Sequence, residues 1–332
     1  MKFSSFVIRR SAFAIGVLIG VSLLVFVITR SLGDPVTPYI THTTPKSAVE
    51  LIRAKYHLDE PIYVQYAYWL WGLLQGDLGL SPTYGYAPIA ELLLTYLPVT
   101  AELGIYTIVI SVPVALWLGT VSARNKDKTP DHLSRVFSIA GWSMPQFVMG
   151  LLLMYVMYSA HLLEVSPTFN FNRVTGMPTF DAILAGDLSG FVDAWRYLIG
   201  ALIVMVWTNV AIMARVLRSS LIEEMGKDYV TTARAKGVNE SAVMIRHARK
   251  NALISFITIA GVSAGFWLSG SVIIETVFNR LGIGLLAASA ATHYDSALVL
   301  GFVLLTGVIM VTANFIADIL YAHFDPRIRL GE

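Results

Sequence analysis

The sequence predicts an all-α polytopic membrane protein with about six transmembrane helices. Three observations carry that prediction. Of 332 residues, 55% are apolar and only 14% charged, where a soluble domain carries about 25% charged residues. The apolar residues gather in runs of roughly 20, the length a hydrocarbon-spanning helix needs. Lys and Arg collect in alternate intervals between those runs, the pattern that orients a chain across a membrane.

The first run, Ser11 to Thr29, follows Arg9 and Arg10. It is longer than the apolar region of a secretory signal, and no small-x-small cleavage site follows it. It reads as an uncleaved first span, 9–30. The segment 31–97 is too long for a plain connector. Thr44 is placed to cap a helix, with Pro45 in its first turn and Ala48, Leu51, Ile52 and Tyr56 at helical spacing. Next, "PIYVQYAYWLWGLLQGDLG" concentrates Tyr63, Tyr66, Tyr68, Trp69 and Trp71, rings that favour a membrane–water interface. It predicts an interfacial or bundle-capping helix.

Further spans are expected at 98–122, 134–160, 197–217, 252–274 and 298–321. Pro145 in "WSMPQF" predicts a break in the third, freeing carbonyls toward a cavity. The organisation is then 1–30, N-terminus and first span; 31–97, extracytoplasmic segment; 98–322, a five-span core with the loop 218–251; and 323–332, a tail. With both termini, the 123–133 loop and the 215–251 stretch inside, 17 of the 24 Lys and Arg lie on the cytoplasmic side, and more than half of the 22 acidic residues lie outside.

Composition also excludes functions. A net charge of +2 gives no ground for nucleic-acid binding. With no cysteine, disulfides, thiolate metal sites and Cys nucleophiles are out, and the seven histidines are scattered singly. No P-loop, zinc-protease motif or nucleophile elbow is present. The expectation is a transport chain, not an enzyme, with no catalytic residue, metal site or cofactor of its own. Charges inside the spans are sparse: Glu102 and Arg196 fall near outer ends, Arg215 and Asp318 near inner ends. Ion-coupled carriers usually place ionisable residues near the midplane, which disfavours that class, although a sodium site of carbonyls and hydroxyls stays open. The mid-bundle residues that could line a path are Trp142, Gln146, Asn209, Trp267 and Ser269.

One stretch stands apart from the spans: "GKDYVTTARAKGVNES", 226–241. Asp228 is expected as N-cap, with Tyr229 to Lys236 helical. Arg234 and Lys236 sit in the last turn, where cations suit the helix dipole, and Gly237 takes the position after the helix. Asn239 caps a second helix leading into the fifth span. Tyr229, Ala233 and Lys236 share one side, Thr232 and Ala235 a neighbouring one. Small residues on a surface helix permit close approach, so this helix is expected to dock a cytoplasmic partner.

This helix–glycine–helix resembles the cytoplasmic loop of permease subunits in ATP-binding-cassette importers, in which Glu-Ala-Ala precedes a Gly by three residues. Aligned on Ala233 and Gly237, Thr stands for the Glu and the first Ala. "DYVTTARAKG" in that form resembles the dipeptide/oligopeptide branch. Gly76-Asp77-Leu78-Gly79-Leu80-Ser81, Leu97-Pro98-Val99-Thr100-Ala101-Glu102-Leu103, Glu275-Thr276-Val277-Phe278, Leu281-Gly282-Ile283-Gly284-Leu285-Leu286 and Asp325-Pro326-Arg327-Ile328-Arg329 resemble further motifs of that branch, in order. The long segment after the first span is similar to that of the first permease of the usual pair. Leu281 and Ser255 depart from prolines common in the branch.

The resemblance implies a type I ABC importer permease fold in the plasma membrane of a bacterium or archaeon. It implies a second homologous permease subunit, two cytoplasmic ATP-binding subunits carrying ATP and Mg, and an extracytoplasmic substrate-binding protein, all in surrounding lipid. Coupling to the ATPases would fall to Asp228, Tyr229, Thr232, Ala233, Arg234, Ala235, Lys236 and Gly237. Peptides lead as substrate, with oligosaccharides second and nickel third; an ion-coupled secondary transporter is the alternative from another class.

Overall fold

The structure, a computed structural model, describes residues 3–31, 36, 40, 45–55, 57–163, 169 and 171–324. The Thr44 cap and the Asp325–Arg329 tail motif lie outside the described residues.

The chain is nearly all helix. The first span is α1 (Phe3–Ser31). Two shorter helices follow, α2 (Lys46–Lys55) and α3 (Ile62–Leu74). The aromatic helix α3 lays one face on α1: the rings of Tyr66 and Trp69 meet Phe26 at 5.2 and 5.6 Å, and the Tyr66 hydroxyl lies 2.9 Å from Ser22 Oγ. Tyr63, Tyr68 and Trp71 stay exposed. A small antiparallel pair, β1 (Leu80–Ser81) and β2 (Ala87–Pro88), then leads into α4 (Ile89–Arg124).

The expected boundary at 97/98 falls inside α4. Pro98 reads locally as a helix start, but Ile89 and Leu93 are buried in a cluster with Ile283, Leu286 and Leu298, and that packing holds the upstream residues helical. Tertiary burial overrides the local proline signal. At 36 residues, α4 is about 54 Å long, well beyond a hydrocarbon core of about 30 Å.

The third span is broken, as Pro145 predicts. Helices α5 (Thr129–Ser143) and α6 (Gln146–Ser159) meet at 101°. Proline restricts its predecessor to extended backbone, and Met144 has φ −83° and ψ 130°. After α7 (Pro178–Ala185), α8 (Leu188–Met225) forms the centre of the bundle. In its most apolar window 72% of residues are buried within the chain, against 17% for α1. Close approach is built in: a Cβ on Gly119 of α4 would sit 2.8 Å from the Ala214 carbonyl of α8. Met149, Met157 and Met205 fill the core beside Leu198, Leu202 and Trp267.

Beyond α8 come α9 (Asp228–Ala235) and α10 (Glu240–Ala242), then a π-helical turn over Val243–Ala248 into α11 (Arg249–Leu268). The fifth span ends six residues before the expected 274. Gly270, at φ +97°, turns the chain, and Ser271 caps a separate helix, α12 (Val272–Val277), accepting from the Ile274 N–H. Helices α13 (Ile283–Thr292) and α14 (Ser296–Phe324) complete the chain. Arg10 of α1 pairs with Asp318 of α14 at 3.1 Å.

The end of the bundle opposite α9 is held by buried carboxylates. Glu102 pairs with Arg280 at 3.0 Å, both fully buried, and accepts from the Thr179 N–H and hydroxyl at 2.7 Å each. Arg280 also donates to the Tyr197 carbonyl at 3.0 Å and lies over the Tyr197 ring. Glu275 accepts from the Thr100 hydroxyl and from the Ser271, Gly284 and Leu285 N–H groups, so its charge sits at the start of α13, where the helix dipole favours an anion. Asp295 accepts from the Ser81 hydroxyl and the Leu298 N–H.

Candidate functional site

Helix α9 is short because its sequence stops it. Lys227, not Asp228, is the N-cap residue, in extended backbone with no side-chain cap. Asp228 lies inside the first turn, where its charge still faces the positive end of the dipole. At the other end Lys236 is the C-cap, Gly237 takes φ +78°, and the Gly237 and Val238 N–H groups donate to the Arg234 and Ala233 carbonyls. This is a Schellman closure, which needs a residue that tolerates a left-handed backbone. Asn239 then accepts from the Ala242 N–H at 2.8 Å, the expected second cap.

One side of α9 is tied to the chain. Val230 and Ala233 are buried with Val243 and Ala248, and Met225 and Val238 pack on them. Ala233, expected on the docking face, is buried: its small size lets α9 sit on the π-helical turn. Polar ties reinforce the seat. The Tyr229 hydroxyl donates to Glu224 and accepts from Asn251 at 3.1 Å, while Arg234 grips Glu240 through Nε at 3.0 Å and through NH2. Partial burial, then the Glu224 hydrogen bond, raises the Tyr229 phenol; the Glu240 bond raises the Arg234 guanidinium.

The other side is open. Asp228, Tyr229, Thr231, Thr232, Arg234, Ala235 and Lys236 are all exposed. The face is polar, with the hydroxyls of Tyr229, Thr231 and Thr232 and the Ala235 methyl between a carboxylate and two cations. It can receive a complementary groove by close approach, with charges at its edges.

The residues named for a path occupy separate settings. Trp142, exposed, carries the Arg215 guanidinium 5.7 Å from its ring centroid. Gln146 is the first residue of α6, half-buried at the break. Asn209 is buried in α8 with its Nδ2 unpartnered. Trp267 belongs to the core, and Ser269 bonds back to Phe266 at 2.8 Å to close α11. Of the five, Trp142 is exposed and Gln146 half-buried, while Asn209, Trp267 and Ser269 are buried within this chain.

A constellation close to α9 has no counterpart in the sequence reading. Asp131, at the start of α5 and fully buried, accepts from Arg218 Nε and NH2 at 2.6 and 2.7 Å, from Ser122 Oγ at 2.6 Å and from the Asp127 N–H at 3.0 Å. One carboxylate gathers the ends of α4 and α8 onto α5. Arg218 counts in the sequence only as one of many loop cations, and 87 residues separate it from Asp131, so no local spacing announces the pair.

Comparison with known proteins fits this architecture. Residues 111–330 match the family described as "Binding-protein-dependent transport system inner membrane component", and residues 3–115 match its N-terminal companion. The dipeptide transport system permease protein DppB of Escherichia coli (strain K12) is 32% identical over 335 residues, 98% of each chain. The di/tripeptide transport system permease protein DppB of Pseudomonas aeruginosa (strain UCBPP-PA14) is 35% identical over the same coverage. The oligopeptide transport system permease protein AppB of Bacillus subtilis (strain 168) is 31% identical, covering 98% of this chain and 99% of its own. With both parts of the family matched and relatives aligned end to end, the chain belongs to the inner-membrane permease components of binding-protein-dependent transport systems.

Proposed function

We propose that this chain is the first permease subunit of a peptide importer driven by separate ATP-binding-cassette subunits. The observation that carries the peptide reading is end-to-end similarity to relatives named for dipeptide, di/tripeptide and oligopeptide transport. None of these names supports the oligosaccharide alternative. Half of the translocation path lies on this chain and half on a second permease; a binding protein delivers substrate on the extracytoplasmic side. The Lys and Arg bias puts α9 and both termini in the cytoplasm. There the exposed face of α9, Tyr229, Thr232, Arg234, Ala235 and Lys236 with Asp228 at its start, docks on an ATPase subunit, which supplies ATP and Mg. Gly237 and Ala233 hold the helix in shape for that contact. Trp142 and Gln146, at the broken span, are the path candidates the geometry leaves open.

The test is reconstitution of the complete complex in vesicles, followed by uptake of a labelled dipeptide. The expected result is uptake that needs both ATP and the binding protein and is not competed by oligosaccharides. Uptake driven by a sodium or proton gradient without ATPase subunits would overturn the class. ATP-driven uptake of an oligosaccharide, but of no peptide, would overturn the substrate.

A further inference from the structure

We infer that Asp131 and Arg218 are positioning residues that make α5, α8 and α9 move as one lever. The inference rests on reading α9 as the ATPase-docking helix. Arg218 lies seven residues before the end of α8 at Met225, and only Gly226 and Lys227 separate that end from α9. Displacement of α9 therefore reaches Arg218 across a two-residue turn, which the Tyr229–Glu224 hydrogen bond spans, and through the last two turns of α8. Arg218 grips Asp131 through two nitrogens of its planar guanidinium, a geometry that fixes orientation as well as distance. The Ser122 hydroxyl and Asp127 N–H complete the carboxylate's partners.

A second attachment lies further along the same two helices. A Cβ on Gly141 of α5 would come within 2.8 Å of the Trp207 ring and 3.1 Å of Ala211 Cβ, and Trp207 Nε1 donates to the Phe137 carbonyl at 3.2 Å. Two attachments along one helix prevent it from pivoting, so α5 follows α8 as a rigid piece. The contact with α8 continues beyond α5, since Met149 and Met157 of α6 share a core cluster with Leu198, Leu202 and Met205. Beyond Met144 and Pro145 the chain turns by 101° into α6, where Gly150 packs against Val277 and Phe278 near the end of α12.

The experiment uses the complete complex in vesicles, with dipeptide as the transported probe. The chain has no cysteine, so spin labels at Leu133→Cys on α5 and Thr231→Cys on α9, both exposed positions, report the lever directly. The expected result is an unchanged label-to-label distance between nucleotide-free and ATP-bound states. A change of several ångströms in the unaltered clasp would overturn the inference, and this measurement needs no variant of the clasp itself. In the variants Arg218→Lys and Asp131→Asn, ATP hydrolysis is expected to stay within about twofold while uptake falls at least tenfold, so more ATP is spent per dipeptide. Arg218→Lys, which keeps the charge, is expected to retain more uptake than Asp131→Asn. Proportional loss of hydrolysis and uptake, or no loss in an assembled complex, would count against the lever. Mobility of the Thr231 label on its own separates this from failure of the docking reading: if adding ATPase subunits leaves it unchanged, α9 is not their seat.

Discussion

The end of the bundle around Glu102 and the helix α9 at the other end are built on opposite plans. At one end Glu102, Glu275, Asp295 and Arg280 are buried, each with hydrogen-bond partners drawn from distant segments. At the other, α9 rests on two buried residues, Val230 and Ala233, and on ion pairs that water reaches. Burying a charge is costly unless it is paired and hydrogen-bonded, so the first end is locked into one geometry. The second end leaves a polar helix face uncovered. On the function proposed above, one end fixes the fold and the other receives a partner.

The largest effect should come from breaking the locked end. Arg280→Ala strands the Glu102 carboxylate, and loss of one partner of a buried pair costs about 3–5 kcal/mol. The melting temperature of the purified complex should fall sharply, and adding Glu102→Gln to the same chain should recover part of the loss. A melting temperature like that of unaltered protein would erase the contrast between the ends.

Gly282→Ala tests the same end more gently. A Cβ there would clash with Thr100 Oγ1 and Glu275 Oε2, and overpacking of this kind costs about 1–3 kcal/mol. The same thermal measurement checks it, with the loss expected to be smaller than for Arg280→Ala.

Gly237→Val probes the open end, where no atom lies within 4 Å of the added Cβ. The cost is backbone strain alone, about 1–2 kcal/mol for a left-handed residue, and it is confined to the end of α9. The melting temperature should hardly move while dipeptide uptake falls relative to ATP hydrolysis. Unchanged uptake in vesicles would break the comparison from this side. Arg234→Ala, which removes an exposed pair with Glu240, should leave the melting temperature unaltered, since such pairs contribute little and are screened by salt.

Much of this was legible in the sequence, for reasons that differ by region. The spans declare themselves through runs of apolar residues, and the break at Pro145 through a residue that removes a helix hydrogen bond, although Pro98 and Pro113 lie within α4 without ending it. Gly237 and Asn239 mark the ends of two helices because their caps are local chemistry. The start of α4 at Ile89 was hidden, because distant packing around Leu93 overrides Pro98. Ala233 was misplaced for a related reason: periodicity gives the sides of a helix but not which side the chain covers. The Asp131–Arg218 clasp and the Glu102–Arg280 pair join residues far apart in sequence, and pairings of that kind leave no spacing to read.

The central claim is that the exposed face of α9 is covered by an ATPase subunit. Single cysteines at Ala235, on that face, and at Tyr294, 93% exposed near the opposite end, would be reacted with a maleimide in the permease pair alone and in the complex assembled with ATPase subunits. The account predicts that assembly slows labelling of Ala235→Cys at least tenfold and leaves Tyr294→Cys unaffected. Equal labelling of Ala235→Cys with and without the ATPase subunits would contradict it.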